Sequence, residues 1–361
     1  MKVVIRSDAS LQMGTGHVMR CLTLADALTA QGTDCQFICR EHQGNLIEQI
    51  RHKGYRTHAL PVVAEAGLSA SDTPQPAHAA WLSSNQEQDA TDCALILAEA
   101  KPDWLIVDHY ALDARWEQAL KPCYRQLMVI DDLADRPHAC DVLLDQTFGR
   151  DAEDYRVWVP AGCPLLCGSQ YALLRPEFAA LRPYSLERRT KPQLRQLLIT
   201  MGGVDKDNAT GQVLEALRAC PLPAECQIKV VMGTTAPWLS EVNKQALTMP
   251  WPTNAMVGVS DMARLMADSD LAIGAAGATS WERCCLGLPT IMVVQAQNQH
   301  KVAHGLELAG AVQVVYDPQE IPDRLPILLS CLLSSPTLLA EMGRAAARIA
   351  DGRGVATVIQ H

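Results

Sequence analysis

The sequence predicts an α/β protein of two domains, because short apolar strands alternate with amphipathic helices along most of its length. In the first half, strands are predicted at residues 2–6, 35–39, 104–108, 127–131 and 142–145. Helices are predicted at about 16–31, 44–53 and 88–100, with a weaker one near 112–122. Strands separated by helical stretches favour parallel sheets joined by right-handed crossovers.

The same alternation begins again after a stretch rich in proline and arginine at 181–195, which we interpret as a linker. Further strands are predicted at 197–200, 227–232, 271–273 and 290–294. A chain of 361 residues is long for one hydrophobic core and suits two. We therefore predict an N-terminal αβ domain over 1–185 and a C-terminal one over 190–361, with a cleft between the carboxyl ends of their sheets. Residues 62–87, polar and broken by prolines, are interpreted as a surface insertion.

Composition excludes several classes of function. The chain is 48% hydrophobic and 20% charged, as in ordinary globular proteins, and its net charge of −9 without a basic run argues against a nucleic-acid partner. Charge appears too early for a signal peptide, and no apolar run approaches the roughly 20 residues that span a bilayer. Thirteen scattered cysteines without CxxC spacing favour reduced thiols. We expect a cytoplasmic protein with no membrane partner.

A glycine-rich loop that ends in histidine, Gly14-Thr-Gly-His17, stands where the first strand gives way to a helix. Gly14 and Gly16 let the backbone approach a ligand closely, and the helix start behind them offers N–H groups to an anion. The helix dipole disfavours a positive charge here, so His17 is expected to be neutral and able to accept a proton. We interpret His17 as a candidate general base. The alternative is a histidine that caps the helix or orients a ligand.

The second half carries its own ligand-binding patterns at strand ends. The strand at 197–200 runs into Met201-Gly202-Gly203, a tight turn with exposed N–H groups, although glycine pairs also occur at such turns for steric reasons. Small residues precede Thr279 and Ser280, whose hydroxyls suit a phosphate at a helix start. Glu282, in the first turn, would accept two hydrogen bonds from a ribose diol. The alternative is a carboxylate that only complements the helix dipole.

Seven motifs follow one another in order between residue 3 and about residue 304. They are Arg6-Ser-Asp8, Gly14-Thr-Gly-His17-Val-Met-Arg20, Val107-Asp-His-Tyr110, Asp131-Asp132, His138-Ala-Cys-Asp141, Tyr171-Ala-Leu-Leu-Arg175 and Met201-Gly-Gly-Val-Asp205. Together they resemble the PseG family, UDP-2,4-diacetamido-2,4,6-trideoxy-β-L-altropyranose hydrolases of pseudaminic acid biosynthesis. The resemblance implies a GT-B fold of two Rossmann-like αβ domains and an enzyme that uses water in place of an acceptor sugar.

The resemblance also implies roles by position. His17 becomes the base that activates water for inverting attack at the anomeric carbon. The residues implied to bind the substrate are Asp8, Gly14, Gly16, Tyr110 and Asn298. Of these, Tyr110 and Asn298 would line the sugar pocket, and Asp8 would orient His17 or meet phosphate. Those implied to hold UDP are Gly202, Thr279, Ser280 and Glu282. Arg20 would orient His17 or meet phosphate, unless it is only a solvated helix charge. Asp108 and His109 end a buried strand, where a structural hydrogen bond and a role in the site both remain open.

We expect no metal and no cofactor. The spacing His300-Lys-Val-Ala-His304 puts two imidazoles on one helix face but lacks the Glu of HExxH and a third ligand. The main alternative function is a GT-B glycosyltransferase with a UDP-sugar donor, because fold and donor site would look alike. A nucleotide-sugar 2-epimerase would need several acid/base groups, and a non-catalytic sensor would have no need of His17. The sequence leaves the oligomeric state open.

Overall fold

Two parallel β-sheets organise the chain in the computed structural model, which describes residues 1–62 and 75–361. The chain divides into two compact units. The first contains Met1–Leu173 and the last residues, Val355–His361, and the second contains Leu174–Gly354. Every pairing between neighbouring strands is parallel. The predicted α/β class is therefore confirmed.

The first unit is built on a seven-stranded sheet in the order β3-β2-β1-β4-β5-β6-β7. Its strands are β1 (Lys2–Ser7), β2 (Asp34–Arg40), β3 (Arg56–Leu60), β4 (Trp104–Asp108), β5 (Gln126–Ile130), β6 (Val142–Asp145) and β7 (Leu165–Cys167). Its helices up to β7 are α1 (Gly16–Ala30), α2 (Ile47–His52), α3 (Gln86–Ala100) and α4 (Ala114–Ala119). Because successive side chains of a strand face opposite sides, Val3 and Ile5 enter one core and Val4 the other. Both faces of the sheet are thus covered, as parallel sheets require.

The second unit carries a six-stranded sheet in the order β10-β9-β8-β11-β12-β13. Its strands are β8 (Gln196–Thr200), β9 (Gln227–Met232), β10 (Thr253–Val257), β11 (Leu271–Ala275), β12 (Thr290–Val293) and β13 (Val312–Val315). Its helices are α5 (Pro176–Arg188), α6 (Ala209–Leu217), α7 (Leu239–Ala246), α8 (Met262–Asp268), α9 (Thr279–Cys285), α10 (His300–Leu308), α11 (Ile321–Ser334) and α12 (Pro336–Ala347). The last helix, α13 (Gly354–Ile359), returns to the first unit, where Val355 and Val358 join the core beside α1.

Strand order reverses at one point in each sheet. In the first sheet the chain builds outward from β1 to β3 and then restarts at β4 on the other side of β1. In the second sheet the same reversal separates β8 from β11. In open α/β sheets, ligands bind beyond the carboxyl ends of the strands at such a reversal, because the two neighbouring loops diverge there. Most of the predicted site residues lie beyond the ends of β1, β4, β8 and β11, and Asn298 lies beyond the end of β12.

A helix occupies the first part of the segment that the sequence predicts as a linker. α5 continues to Arg188, so extended chain begins only after Arg189 rather than at the start of 181–195. The reason is that Arg182 donates to the carbonyl oxygens of Cys285 and Ala347, at the ends of α9 and α12. An arginine of the predicted linker thus provides hydrogen-bond donors to carbonyl oxygens at the ends of two helices. Because α5 packs on α8 and α9, the boundary between the units falls before it, at Leu174.

The segment predicted as a surface insertion, 62–87, is described in part. Residues 63–74 lie outside the described residues. A short 3-10 helix, Ala79–Leu82, follows, with Leu82 buried in the first unit. The described end of this segment is therefore packed against the fold rather than lying on its surface.

Among the described residues, no single helix has the length and apolarity needed to cross a membrane. Two segments, Pro318–Ser334 and Pro336–Ala347, meet both criteria only as a pair, and they are bent by 102° where they join. Leu325, Leu329 and Leu339 of this pair are buried in the core of the second unit.

Candidate active site

His17 and Asp108 meet at the strand-order reversal of the first sheet. β1 and β4 are neighbours, with Ser7 paired to Asp108, so the loop after β1 delivers His17 to the end of β4. Nδ1 of His17 lies 2.6 Å from Oδ1 of Asp108. A carboxylate can only accept here, so Nδ1 carries a proton, and in the neutral form of the ring the lone pair is then on Nε2. The arrangement is the base-and-orienting-carboxylate pair used in proton abstraction.

Arg20, one helical turn after His17, holds this carboxylate in place. Its Nε and Nη2 donate to the two oxygens of Asp108 at 2.7 and 2.8 Å, and its Nη1 donates to Asp132 at 2.7 Å. Burial alone would raise the pKa of Asp108, but Arg20 and His17 hold it well below its usual range. Asp108 therefore stays ionised at any pH at which the fold persists. Arg20 is buried, which excludes the interpretation of a solvated helix charge.

Tyr110 forms a wall beside His17. The centroids of the two rings are 4.5 Å apart and the rings are nearly perpendicular, at 86°. The Tyr110 hydroxyl donates to Oδ2 of Asp132 at 2.7 Å, the oxygen that Arg20 also contacts. Burial and the Asp132 carboxylate raise the pKa of Tyr110 well above its ordinary value. Tyr110 is thus a fixed, protonated ring in contact with the candidate base.

Asp8 lies behind the site in a buried ionic cluster. Its Oδ1 accepts from Nη1 of Arg6 and from the backbone N–H of Arg40, both at 2.6 Å. Its Oδ2 lies 3.2 Å from Nε2 of His109. Burial would raise the pKa of Asp8, but Arg6 and the neighbouring histidines lower it well below the usual range. This placement favours support of the turn after β1 over direct contact with a substrate, and it gives His109 a structural partner.

The glycine loop leaves the start of α1 open. Gly14 has φ of +77° and forms an isolated bridge with Ser10, a backbone shape that a larger residue adopts only with strain. Thr15, the N-cap, makes no side-chain hydrogen bond to the helix. At Gly16, an added methyl group would meet no described atom within 4 Å. The first turn of α1 thus has no capping side chain from Thr15, and there is room beside Gly16, which suits an anionic or polar ligand group.

In the second unit, the loops after β8 and β12 are tied together by one carboxylate. Gly202 turns the chain after β8 with φ of +89°. Asp205 accepts hydrogen bonds from the N–H groups of Ala209 and Thr210, at 2.9 Å each, and so caps α6. The amide of Gln295, from the loop after β12, donates to the same carboxylate at 3.3 Å. The loop that contains Gly202 is thereby fixed against the neighbouring loop.

Thr279 and Ser280 begin α9 beyond the end of β11, and both are held by Arg283. Its guanidinium donates to Oγ1 of Thr279 at 3.3 Å and to Oγ of Ser280 at 3.2 Å, as well as to the carbonyl oxygen of Ala275 at 2.6 Å. Burial lowers the pKa of Arg283 to about 10. Because the hydroxyl oxygens act as acceptors for Arg283, their protons are left to donate to a ligand.

Glu282 is half-buried in the same first turn. Its Oε1 lies 3.8 Å from Nη2 of Arg175. Burial raises the pKa of Glu282, and Arg175 and Arg283 offset only part of that rise. A desolvated carboxylate with one distant cation retains acceptor capacity for a polar ligand.

Two further predicted positions lie on the loop and helix after β12. Asn298 is exposed in a short 3-10 helix, Gln297–Gln299. His300 stacks on Tyr316 with centroids 6.0 Å apart, and Nδ1 of His304 lies 3.4 Å from the Tyr316 hydroxyl. Both imidazoles thus have a partner in Tyr316. Among residues 1–62 and 75–361, no group of three or more His, Cys, Asp or Glu side chains is arranged to hold a metal ion.

The sequence missed two members of the site in the first unit. In the sequence, Asp132 has no predicted role beyond the motif Asp131-Asp132. In the structure, its carboxylate accepts hydrogen bonds from both Arg20 and Tyr110. Trp81 fell within the predicted surface insertion, yet its ring stacks on Tyr110 with centroids 5.8 Å apart. An acidic pair directly after a buried strand was the available signal for Asp132. For Trp81 the only signal was a large aromatic residue in an otherwise polar stretch.

The chain is similar to several known proteins. Residues 197–356 match the glycosyltransferase family 28 C-terminal domain. The chain is 28% identical over 310 residues to the UDP-2,4-diacetamido-2,4,6-trideoxy-beta-L-altropyranose hydrolase of Campylobacter jejuni, which covers 86% of this chain and 97% of the relative. It is 28% identical over 205 residues to the spore coat polysaccharide biosynthesis protein SpsG of Bacillus subtilis, covering 56% of this chain and 59% of that protein.

The fold also has solved counterparts. The crystal structure of MurG from Acinetobacter baumannii matches with a TM-score of 0.68 at 15% identity, covering 99% of this chain and 98% of that one. At this identity the likeness concerns the fold alone. The resemblance to the PseG family that the seven motifs predict is confirmed, and the chain is a GT-B protein that resembles this family over most of its length.

Proposed function

We propose that this protein hydrolyses a UDP-activated 2,4-diacetamido-2,4,6-trideoxy sugar to the free sugar and UDP, with inversion at the anomeric carbon. An enzyme of the GT-B type that handles a nucleotide sugar is supported by the family 28 domain and by the named hydrolase relative. The finer proposal depends on one observation, the contact of His17 with Asp108 beside the open start of α1. A cytoplasmic role in pseudaminic acid biosynthesis belongs to the same proposal.

In the proposed reaction, Nε2 of His17 removes a proton from water as that water attacks the anomeric carbon. Asp108 keeps the imidazole in the required tautomer and stabilises the imidazolium that forms. Arg20 keeps Asp108 ionised and oriented. A positioned base of this kind contributes about 10²–10⁴-fold to the rate. The bond between the anomeric carbon and the UDP oxygen breaks, and UDP leaves as an anion stabilised by hydrogen-bond donors.

UDP is assigned to loops of the second unit. Thr279 and Ser280 would donate to the phosphates, and Glu282 would accept from the ribose hydroxyls. Gly202 would allow close approach of the backbone after β8. The sugar is assigned to Tyr110, to the loop of Gly14 and Gly16, and to Asn298, with Asp8 supporting that loop from behind. The support for these roles is that each of these loops follows the carboxyl end of a strand in its own parallel sheet.

Glycosyl transfer is the second candidate. The observation that favours it is the match of residues 197–356 to a glycosyltransferase domain. Both reactions would use the same donor and the same base, and they differ in whether water or a sugar hydroxyl attacks.

The two candidates are separated by incubating the purified protein with the UDP-activated trideoxy sugar alone. Hydrolysis predicts stoichiometric free sugar and UDP, followed by ¹H NMR of the anomeric proton, which also reports whether the first-formed sugar is inverted. A transferase predicts release only after an acceptor is added. An absence of UDP release from the donor alone would overturn the hydrolase proposal.

A further inference from the structure

Four rings form one aromatic cluster around the candidate base: His17, His78, Trp81 and Tyr110. Trp81 stacks on Tyr110 at a centroid distance of 5.8 Å, with 26° between the planes, and lies 6.5 Å from the His17 ring. His78 contacts Trp81 and Tyr110 through edges, at centroid distances of 4.5 and 5.4 Å. The cluster brings an indole from a different segment of the chain to the imidazole that Asp108 orients.

Trp81 is held in this position by the elements on both sides. Leu82, the next residue, is buried in the core of the first unit and anchors the 3-10 helix from which Trp81 projects. Tyr110 cannot turn away beneath it, because its hydroxyl is bonded to Asp132 and the Arg136 guanidinium lies 5.9 Å from its ring centroid. Trp81 itself remains partly exposed. An indole fixed on one side and partly open to solvent is suited to contact a ligand.

The recorded neighbours of the indole are aromatic rings, two of them imidazoles. Burial lowers the pKa of His78, which favours a neutral ring at the edge of Trp81. The hydroxyl of Tyr110 points to Asp132, which leaves its ring carbons to the cluster. Trp81 has no group that exchanges protons with water near neutral pH, so a chemical role in the reaction is excluded. The indole can still donate a hydrogen bond through Nε1–H, and its ring faces can contact carbon-bound hydrogens and methyl groups of a substrate.

We infer that Trp81 determines sugar specificity: it presents an apolar wall beside His17 to the methyl groups of a 6-deoxy, N-acetylated donor sugar. The inference rests on the proposed function for the identity of the donor. A 6-deoxy sugar has a methyl group where a common hexose has a hydroxymethyl group, and each acetamido substituent adds another methyl. A hydrophobic wall gains from each methyl but not from a hydroxyl that it must desolvate. Discrimination by one such group is about 10–200-fold.

The experiment compares Trp81→Ala, Trp81→Phe and the matched control Trp104→Ala in the full chain. Trp104 is a partly buried tryptophan of the same unit at the start of β4, at the opposite end of that strand from Asp108. Trp81→Ala should lower kcat/KM for the diacetamido-trideoxy donor about 10–100-fold, mainly through KM, with the inhibition constant of UDP unchanged. Trp81→Phe should restore most of the loss. Trp104→Ala should lower thermal stability without changing KM.

Specificity is read from a second ligand, UDP-N-acetylglucosamine, whose sugar carries a C6 hydroxyl. Its inhibition constant should rise in Trp81→Ala by a smaller factor than KM for the trideoxy donor does, because its sugar has one acetamido methyl and a hydroxyl at C6, so the preference for the deoxy sugar should decrease. An unchanged KM in a folded Trp81→Ala variant, or an equal loss for both sugars, would overturn the inference.

The role of Trp81 can be tested independently of the proposed reaction when binding is measured without turnover. In a His17→Asn background, saturation-transfer NMR should show the acetamido and C6 methyl protons of the donor in contact with the protein. That signal should fall in the Trp81→Ala double variant. If the wild type transfers the sugar instead of hydrolysing it, the proposed function is wrong. The NMR signal of the methyl protons would still show whether Trp81 contacts them. If the donor does not bind at all, both proposals are overturned.

Discussion

Nδ1 of His17 lies 2.6 Å from Oδ1 of Asp108, across 91 residues of sequence. The contact exists because β1 and β4 are neighbours at the strand-order reversal, so the loop after one strand meets the end of the other. Asp108 is in turn fixed by two hydrogen bonds from Arg20. A helix-capping histidine would not need a carboxylate anchored in this way. The relationship therefore favours proton transfer at Nε2 over a merely structural imidazole.

Replacing the candidate base should remove turnover without removing nucleotide binding. We expect His17→Asn to lower kcat by about 10²–10⁴-fold, the usual contribution of a positioned base. UDP affinity, measured by calorimetry, should stay within a factor of about two, because UDP is assigned to the second unit. His52→Asn, at the exposed end of α2, is the matched control and should behave as the wild type. Near-normal turnover of His17→Asn would show that another group activates water.

Asp108→Asn should damage both the reaction and the fold. The amide cannot stabilise the imidazolium, so kcat should fall by about 10²–10⁴-fold. It also leaves the buried Arg20 charge without its main partner, which costs about 3–5 kcal/mol of unfolding free energy. Urea unfolding with turnover assays measures the two effects in one preparation. A variant with full stability would mean that Arg20 is compensated by Asp132 alone.

The difference in unfolding free energy between the wild type and Asp108→Asn should also depend on pH, and it should decrease as the pH falls. The pKa of Asp108 is lower in the folded protein than in the unfolded chain, where it is about 3.9. The stabilisation from its charge is therefore complete above that value and is lost as the pH falls below it. The unfolding free energies of the wild type and Asp108→Asn should begin to converge below about pH 5 and should go on converging as the pH falls towards the lowered pKa of the folded state. A constant difference over this range would place the loss in packing rather than in the ion pair.

The sequence predicted the central strands to within a few residues and missed the edges of both sheets. The four strands not predicted, β3, β7, β10 and β13, are the outermost strands of the two sheets. An edge strand pairs on one side only and needs less apolar surface. Thr253–Val257 and Arg56–Leu60 accordingly carry polar residues and are largely half-exposed, while Leu165–Cys167 is only three residues long. Periodicity has little signal in these three segments, whereas the fourth, Val312–Val315, is apolar and mostly buried but only four residues long.

The candidate site was predictable where the signal is local and not where it depends on strand register. His17 follows a glycine loop at a helix start, a pattern contained in four residues. The pairing of Asp108 with Arg20 depends on which strands are neighbours, so both residues remained ambiguous. Trp81 reaches Tyr110 from a segment with prolines and polar residues, for which the sequence predicts exposure. The contact of Trp81 with Tyr110 depends on the burial of Leu82, which the hydrophobic periodicity of this segment does not predict.

Glu282 gives a test of nucleotide binding in the second unit. Glu282→Ala should weaken UDP binding by about 1–3 kcal/mol, the range for losing hydrogen bonds to a charged acceptor, and should raise KM more than it lowers kcat. Glu215→Gln, an exposed carboxylate on α6 paired with Arg218, is the control and should leave UDP affinity unchanged. Equal affinities of wild type and Glu282→Ala would leave Glu282 with only a helix-dipole role.

The same carboxylate should make UDP binding depend on pH. Burial raises the pKa of Glu282, so it takes up a proton at a higher pH than an exposed glutamate does. Protonation removes the charge that the ribose hydroxyls would bond to, so UDP affinity should fall as the pH decreases through that raised pKa. Glu282→Gln, measured by calorimetry over the same range, should lose this dependence. A pH profile identical to that of the wild type would assign the titration to another group.

The most direct test of the proposed reaction is to determine which bond is cleaved. If His17 directs water at the anomeric carbon, cleavage separates that carbon from the UDP oxygen. An enzyme that attacked phosphorus would usually use a divalent cation to offset charge on the phosphoryl oxygens. Turnover in ¹⁸O-labelled water should therefore place the label on the free sugar and none on UDP, as read by mass spectrometry.

A control with EDTA belongs to the same experiment, and the rate should be unchanged when it is added. His17→Asn in labelled water should give the same label position at a much lower rate, because the variant loses the base and not the geometry of the donor. Label on the terminal phosphate of UDP would require attack at phosphorus. The water that His17 activates would then be aimed at the wrong atom, and both the mechanism and the role of the His17–Asp108 pair would have to be abandoned.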